Sequence, residues 1–269
     1  MELDYDDAYA NAAYIPNADQ YIERWTAEAE AFRKDLIKQD RCTLAVPYGP
    51  SARQVYDEFR PIGVAKGTFV FVHGGYWLRF DRSHWSHFAQ GALDAGWRVV
   101  MPSYDLCPTV SIAQITQQIA AAVEQSAQRY DGDIVLSGHS AGGHLVARLC
   151  CQGVLTTKTF ARIRHVCPIS PVSNLRPLRH TAMNEMFKLT EADAIAESPA
   201  LSPYSGKKVT CFVGADERPA FLDQARWLSE AWGCELSFLE GKHHFDAIDP
   251  LTDPNSAMMK TMLGSDEKS

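Results

Sequence analysis

The 269-residue sequence has no excess of basic charge: 26 lysines and arginines stand against 33 aspartates and glutamates, for a net charge of −7. Nucleic acids and anionic membranes call for basic patches, and none clusters here, so neither is expected as a partner. No apolar run approaches the roughly 18 residues that a membrane span requires. The opening MELDYDDAYANAAY is acidic and lacks a charged-then-apolar targeting pattern. Seven cysteines are present, Cys42, Cys107, Cys150, Cys151, Cys167, Cys211 and Cys234, but no CxxC and no zinc-like spacing. Their odd number and apolar surroundings, as in TCFVG and HVCPIS, predict free core thiols in a reducing compartment. A cytoplasmic location is therefore expected. The nine histidines show no spacing that would gather metal ligands on one face, so no metal is expected.

Internal repeats, low-complexity linkers and long charge blocks are also missing, which predicts a single domain over 1–269. An apolar fraction of 46% suffices for a sizeable core. Residues 22–40 carry good helix formers and predict an N-terminal helix. CTLAVPYG and QVYDEFR, turned by Gly-Pro-Ser, predict a strand pair at a sheet edge. From residue 68 strands and helices alternate, as in TFVFVHGG, RVVMPSYDL and DIVLSGHS. In the segment between the second and third of these, Ile112, Ile115, Ile119 and Val123 share one helical face. The fold class is thus α/β: a mostly parallel eight-stranded sheet with helices on both faces. Residues 175–200, after the sixth strand, predict a small cap region. Function in such sheets gathers at the carboxyl ends of the strands.

One strand end reads SGHSAGGHL and fits G-x-S-x-G, with Ser140 at the tip of a strand-to-helix turn. Such a turn exposes the hydroxyl as a nucleophile, but a serine needs a base that is itself oriented by an acid. Downstream, Asp216 follows a strand, and His243 and His244 follow the last one. His244 is the preferred base, with His243 a neighbour. Asp216 is preferred as the acid because it is short and near the strand end; Glu217 and Asp246 are the alternatives. Another strand end reads FVHGGYW. Glycines there would let backbone amides approach an oxyanion, so Gly75, Tyr76 and Ala141 are the expected donors, with Gly74 shaping the loop. His73 is expected to brace the loop from below. Tyr76 and Trp77 are candidates for closing the acyl pocket or stacking on an aromatic substrate, Trp77 being the expected substrate-binding residue. Met183, Met186 and Phe187 are candidates for an apolar substrate wall.

With these motifs the chain resembles the α/β-hydrolase superfamily and, within it, the arylformamidase (kynurenine formamidase) group near the hormone-sensitive-lipase-like esterases. HGGYW at 73–77, YDLCP at 104–108, GHSAGGHL at 138–145, VGADERPAFLDQA and HHF carry the resemblance, which spans roughly residues 40–260, with YANAAYIPN as a further part. It implies Ser140 as nucleophile, Asp216 as acid and His244 as base. It also implies cofactor-free hydrolysis of N-formyl-L-kynurenine to kynurenine and formate, in tryptophan catabolism. Where the family tends to have an aromatic-acidic pair before L-x-P-L, this chain has Ser173 and Asn174, a segment expected to border the substrate pocket. A carboxylesterase acting on small acyl or aryl esters would use the same triad and is the competing expectation. A ligand-binding protein on the same scaffold would typically lose a triad member, and here all three are present. The expected partner is a small-molecule substrate; the oligomeric state is open, with a homodimer as one option.

Overall fold

Eight strands pair into one sheet in the computed structural model, which describes residues 4–264. The strands are β1 (Cys42–Pro47), β2 (Val55–Phe59), β3 (Gly67–Val72), β4 (Arg98–Pro102), β5 (Asp133–His139), β6 (Ile163–Ile169), β7 (Thr210–Gly214) and β8 (Glu235–Leu239). Their spatial order is β1-β2-β4-β3-β5-β6-β7-β8. β2 runs antiparallel to β1 and to β4, and every other neighbouring pair is parallel. The edge position of the first two strands and the strand count agree with the sequence expectation.

Residue alternation along β3 shows how the sheet acquires two cores. Phe69 and Phe71 point to one face, where they join Trp25, Trp85, Phe88 and Met259. Val70 and Val72 point to the other, with Ile115, Ile119, Leu145 and Val146. Each such side chain, fully buried, contributes about 1.5–3 kcal/mol. Both faces of the central strands are covered, so these strands read as continuous apolar runs.

The helix Ala18–Lys38 begins four residues before the expected start and buries Trp25, Ala29 and Leu36. Ile112–Arg129 is held at its start by a capping box between Ser111 and Gln114. Ala141–Arg148 follows β5 directly. Beyond β6 the chain forms short turns of helix at Arg176–His180, Asn184–Phe187 and Glu191–Ala196. All seven cysteines are unbonded, five of them buried. Among the described residues no helix is long and apolar enough to cross a membrane.

β4 and β5 flank β3 on opposite sides, so the crossovers leaving this part of the sheet run in opposite directions. That is where a parallel sheet opens a crevice beyond its carboxyl edge. β3 ends at Val72, just before His73-Gly74-Gly75, and β5 ends at His139, just before Ser140. The two motifs singled out in the sequence therefore meet at this crevice.

Candidate active site

Ser140 adopts φ 56° and ψ −116°, a conformation that side-chain-bearing residues rarely take. Such a backbone costs about 1–3 kcal/mol and persists only where its surroundings enforce it. Here the Ser140 N–H donates to the Ile169 carbonyl at 2.9 Å, and the Ser140 carbonyl accepts from His144 N–H at 3.0 Å. Gly142 lets the following helix press against the end of β3: a Cβ there would lie 2.0 Å from the Val72 carbonyl oxygen. Ala141 is the first helical residue, so its N–H has no intrahelical acceptor and points with the positive end of the helix dipole.

His244 is buried, and its Nδ1 lies 2.6 Å from Oε2 of Glu217. This corrects the expected acid. Asp216 is exposed, its N–H tied to the Lys242 carbonyl at 2.9 Å, while Glu217 turns inward. The Glu217 side chain is completely shielded from solvent. Its Oε1 accepts the Gly214 N–H at 2.9 Å and the Ser170 hydroxyl. The turn after β7 thus aims the longer carboxylate back under the sheet edge, and the shorter one at solvent. With Nδ1–H donating to Glu217, the His244 Nε2 lone pair is left free for a proton from Ser140. Chain order remains serine, acid, histidine. Asp246 instead accepts the His243 N–H at 2.7 Å.

The loop after β3 has positive φ at three consecutive positions, Gly75 at 113°, Tyr76 at 52° and Trp77 at 56°, which is free for the glycine and strained for the two that follow. Among the described residues, no backbone carbonyl takes the N–H of Gly75 or Tyr76. Like that of Ala141, these amides have no backbone acceptor of their own. Trp77 corrects the sequence reading, because it is fully buried and lies away from the cavity. Its ring meets His144 and Phe187 edge-on at 5.1 and 5.7 Å, and its carbonyl accepts the Cys107 N–H at 2.9 Å. Two successive left-handed residues swing the first ring toward the cavity and the second into the core.

Above Ser140 lies a cavity of about 310 Å³, reached by Ser140 and His244 and walled by rings such as Tyr76, Phe80, Trp85 and Phe245. Part of its wall comes from residues 6–13 and the start of Ala18–Lys38, a contribution the sequence did not predict. This N-terminal strap is tied down by side chains. The Tyr76 hydroxyl donates to the Tyr9 carbonyl at 2.6 Å and accepts from Asn11 Nδ2 at 3.1 Å. Gln224 Nε2 donates to the Tyr9 hydroxyl at 2.7 Å, and burial pushes that phenol's pKa up to about 12. Ser173 and Asn174 do not border this cavity. Their backbone amides donate to Gln224 Oε1 at 2.8 and 2.7 Å, so they fix the amide that holds the strap. Of the three apolar wall candidates, Met183 lines the cavity, Met186 is exposed and Phe187 packs behind Trp77. A larger groove of about 710 Å³, bordered by Asn174, Arg176 and Trp227, is an open surface feature remote from Ser140.

Residues 69–232, more than half of the chain, match the alpha/beta hydrolase fold family. The chain belongs to the α/β-hydrolase fold family. It is a hydrolase, and its relatives include kynurenine formamidases. The Danio rerio enzyme is 27% identical over 95% of this chain and 93% of its own length, and the Drosophila melanogaster enzyme is 26% identical over 85% and 83%. A solved structure from Silicibacter sp. TM1040, provisionally described as a thioesterase, is 54% identical, with a TM-score of 0.95 over 98% of this chain and all of that one. Esterase 2 of Thermogutta terrifontis shares the fold at 19% identity, with a TM-score of 0.61 over 76% of this chain and 83% of its own.

Two further histidines support the hydrolase site from below. His73 stacks on Tyr104, with ring centroids 4.4 Å apart, and its Nδ1 donates to the Gly74 carbonyl at 2.8 Å. Burial lowers its pKa to about 4, so it braces the loop as a neutral ring, as expected. His139, immediately before Ser140, donates from Nε2 to the His244 carbonyl at 2.8 Å. The strand that presents Ser140 therefore also holds the loop that carries His244. Sequence reasoning passed over His139; its place beside the serine was the available signal. His243 faces outward from the cavity, 3.0 Å from the Tyr21 hydroxyl.

Proposed function

We propose that this hydrolase is an arylformamidase that cleaves N-formyl-L-kynurenine to L-kynurenine and formate. The observation that carries the proposal is the ring-walled cavity over Ser140, which suits an aryl group on the leaving amine. The names of the Danio, Salmo and Drosophila relatives point the same way.

Ser140 Oγ attacks the formyl carbon while His244 Nε2 takes its proton, and Glu217 stabilises the imidazolium through Nδ1–H. The amides of Gly75, Tyr76 and Ala141 receive the oxyanion; removing one such donor typically costs about 3 kcal/mol. As the carbon–nitrogen bond breaks, His244 passes the proton to the departing aryl amine. Water, deprotonated by His244, then attacks the formyl ester. Formate leaves, and the proton returns to Ser140. The formyl carbon bears only hydrogen, so no separate acyl pocket is needed.

A carboxylesterase would use the same machinery, and the esterase names among the fold neighbours favour that second reading. Rates on N-formylkynurenine and on short p-nitrophenyl esters decide between them, with Ser140→Ala as control. Turnover of esters alone would overturn the formamidase proposal. Activity surviving in Ser140→Ala would overturn the serine mechanism.

A further inference from the structure

The cavity over Ser140 is not uniformly apolar. Arg79 and Asp19 line it from two different elements, and neither forms an ion pair among the described residues. Arg79 sits on the turn that closes the oxyanion loop, its N–H donating to the Gly75 carbonyl at 3.2 Å. That turn is tight: a Cβ on Gly75 would lie 2.5 Å from the Arg79 carbonyl oxygen. The backbone of Arg79 is therefore held in fixed relation to Gly75, while its side chain is exposed at the rim. Its guanidinium lies 5.6 Å from the centre of the Phe80 ring, itself part of the cavity wall.

Asp19 lies in the first turn of Ala18–Lys38, on the helix face that also places Ala18, Ile22 and Trp25 against the cavity. The third charged lining residue, Asp6, is differently employed. Its Oδ1 accepts the Ala182 N–H at 2.7 Å and so anchors the strap beside Met183. One unclaimed cation and one unclaimed anion remain, at the rim of a cavity whose interior is ring-walled.

We propose that Arg79 and Asp19 form a subsite for the zwitterionic head of an aromatic α-amino acid, Arg79 taking the carboxylate and Asp19 the ammonium. This rests on the aryl-formamide reading of the same site and specifies which aryl formamides the enzyme prefers. Arg79 presents planar paired N–H donors to a carboxylate, a geometry that a lysine would not reproduce. The ring-walled interior then receives the aryl group, and the formamide reaches Ser140.

The test compares N-formyl-L-kynurenine with 2-formamidoacetophenone, which keeps the aryl formamide but lacks the amino-acid head. The wild-type ratio of their kcat/KM values is expected to favour the charged substrate. Arg79→Ala should lower that ratio at least about tenfold through KM, and Asp19→Asn by several-fold; Arg79→Lys should restore only part of it. An unchanged ratio in Arg79→Ala would overturn the proposal, as would an equal loss on both substrates.

A binding measurement separates this from the arylformamidase reading. L-Kynurenine and 2-aminoacetophenone are compared as inhibitors of p-nitrophenyl acetate hydrolysis, whichever amide the enzyme cleaves. Stronger inhibition by L-kynurenine, lost in Arg79→Ala, supports the subsite. Equal inhibition by the two compounds overturns it. Absence of formamide turnover, by contrast, falls on the function proposed above.

Discussion

Glu217 Oε2 lies 2.6 Å from Nδ1 of His244, with both side chains closed off from solvent. A carboxylate in this position selects the imidazole tautomer whose Nε2 accepts a proton. Removing its charge while keeping its shape would select the wrong one. Glu217→Gln is expected to lower kcat by about 10³-fold or more. Asp216→Asn, on the exposed neighbour, should stay within about threefold. Steady-state kinetics on one substrate distinguish the two residues, and the reverse ranking would restore Asp216 as the acid.

Trp77 acts through packing. Trp77→Ala should destabilise the fold by about 3–5 kcal/mol, because it empties the space between His144 and Phe187. Urea unfolding measures this. Trp77→Phe should recover part of the stability and leave KM near that of the parent, an outcome at odds with a substrate-stacking role.

Tyr76→Phe removes the hydroxyl that donates to the Tyr9 carbonyl and accepts from Asn11. A net loss of about 1 kcal/mol is expected, which raises local opening roughly fivefold. Hydrogen exchange of residues 5–15 should accelerate by that factor, with exchange in the central strands little altered. A uniform acceleration would mean that the hydroxyl supports the whole fold and not the strap.

Acid should weaken the protein before its carboxylates titrate. Burial lowers the pKa of His73 and of His144 to about 4, below the ordinary value of about 6.5 that returns on unfolding. Between those values the unfolded chain binds more protons than the folded one. The stability these rings contribute is therefore complete above about pH 6.5 and is lost as the pH falls toward 4. Each fully buried ring is worth of order 3 kcal/mol across this window. Denaturant unfolding at pH 7.5 and pH 5 should show the drop, and His73→Asn should reduce it.

Local sequence revealed the elements whose geometry is set locally. Strand–turn–helix signals around Ser140 located the strained turn after β5, and the position beyond the last strand located the imidazole of His244. The choice between Asp216 and Glu217 was not legible in this way, because it depends on how the turn after β7 closes. With the Asp216 N–H bonded to the Lys242 carbonyl and the Gly214 N–H bonded to the Glu217 carboxylate, Asp216 faces solvent and Glu217 faces His244. Trp77 was misplaced for a related reason. Two left-handed residues in succession reverse the direction of its ring, and large side chains give no warning of such a backbone. The strap depends on contacts such as Tyr9 with Gln224, 215 residues apart in sequence, which leave no periodic trace.

That strap divides labour within the chain. The sheet and its loops carry Ser140, Glu217 and His244, while residues 6–22 form much of the wall of the cavity above them. Because the strap contributes no strand to the sheet, its side chains can change without disturbing strand register. Substrate range can thus drift by substitutions near the amino terminus while the chemistry stays as it was. Two relatives with the same elbow, base and acid could then differ in diet through a handful of residues that a motif comparison would never inspect.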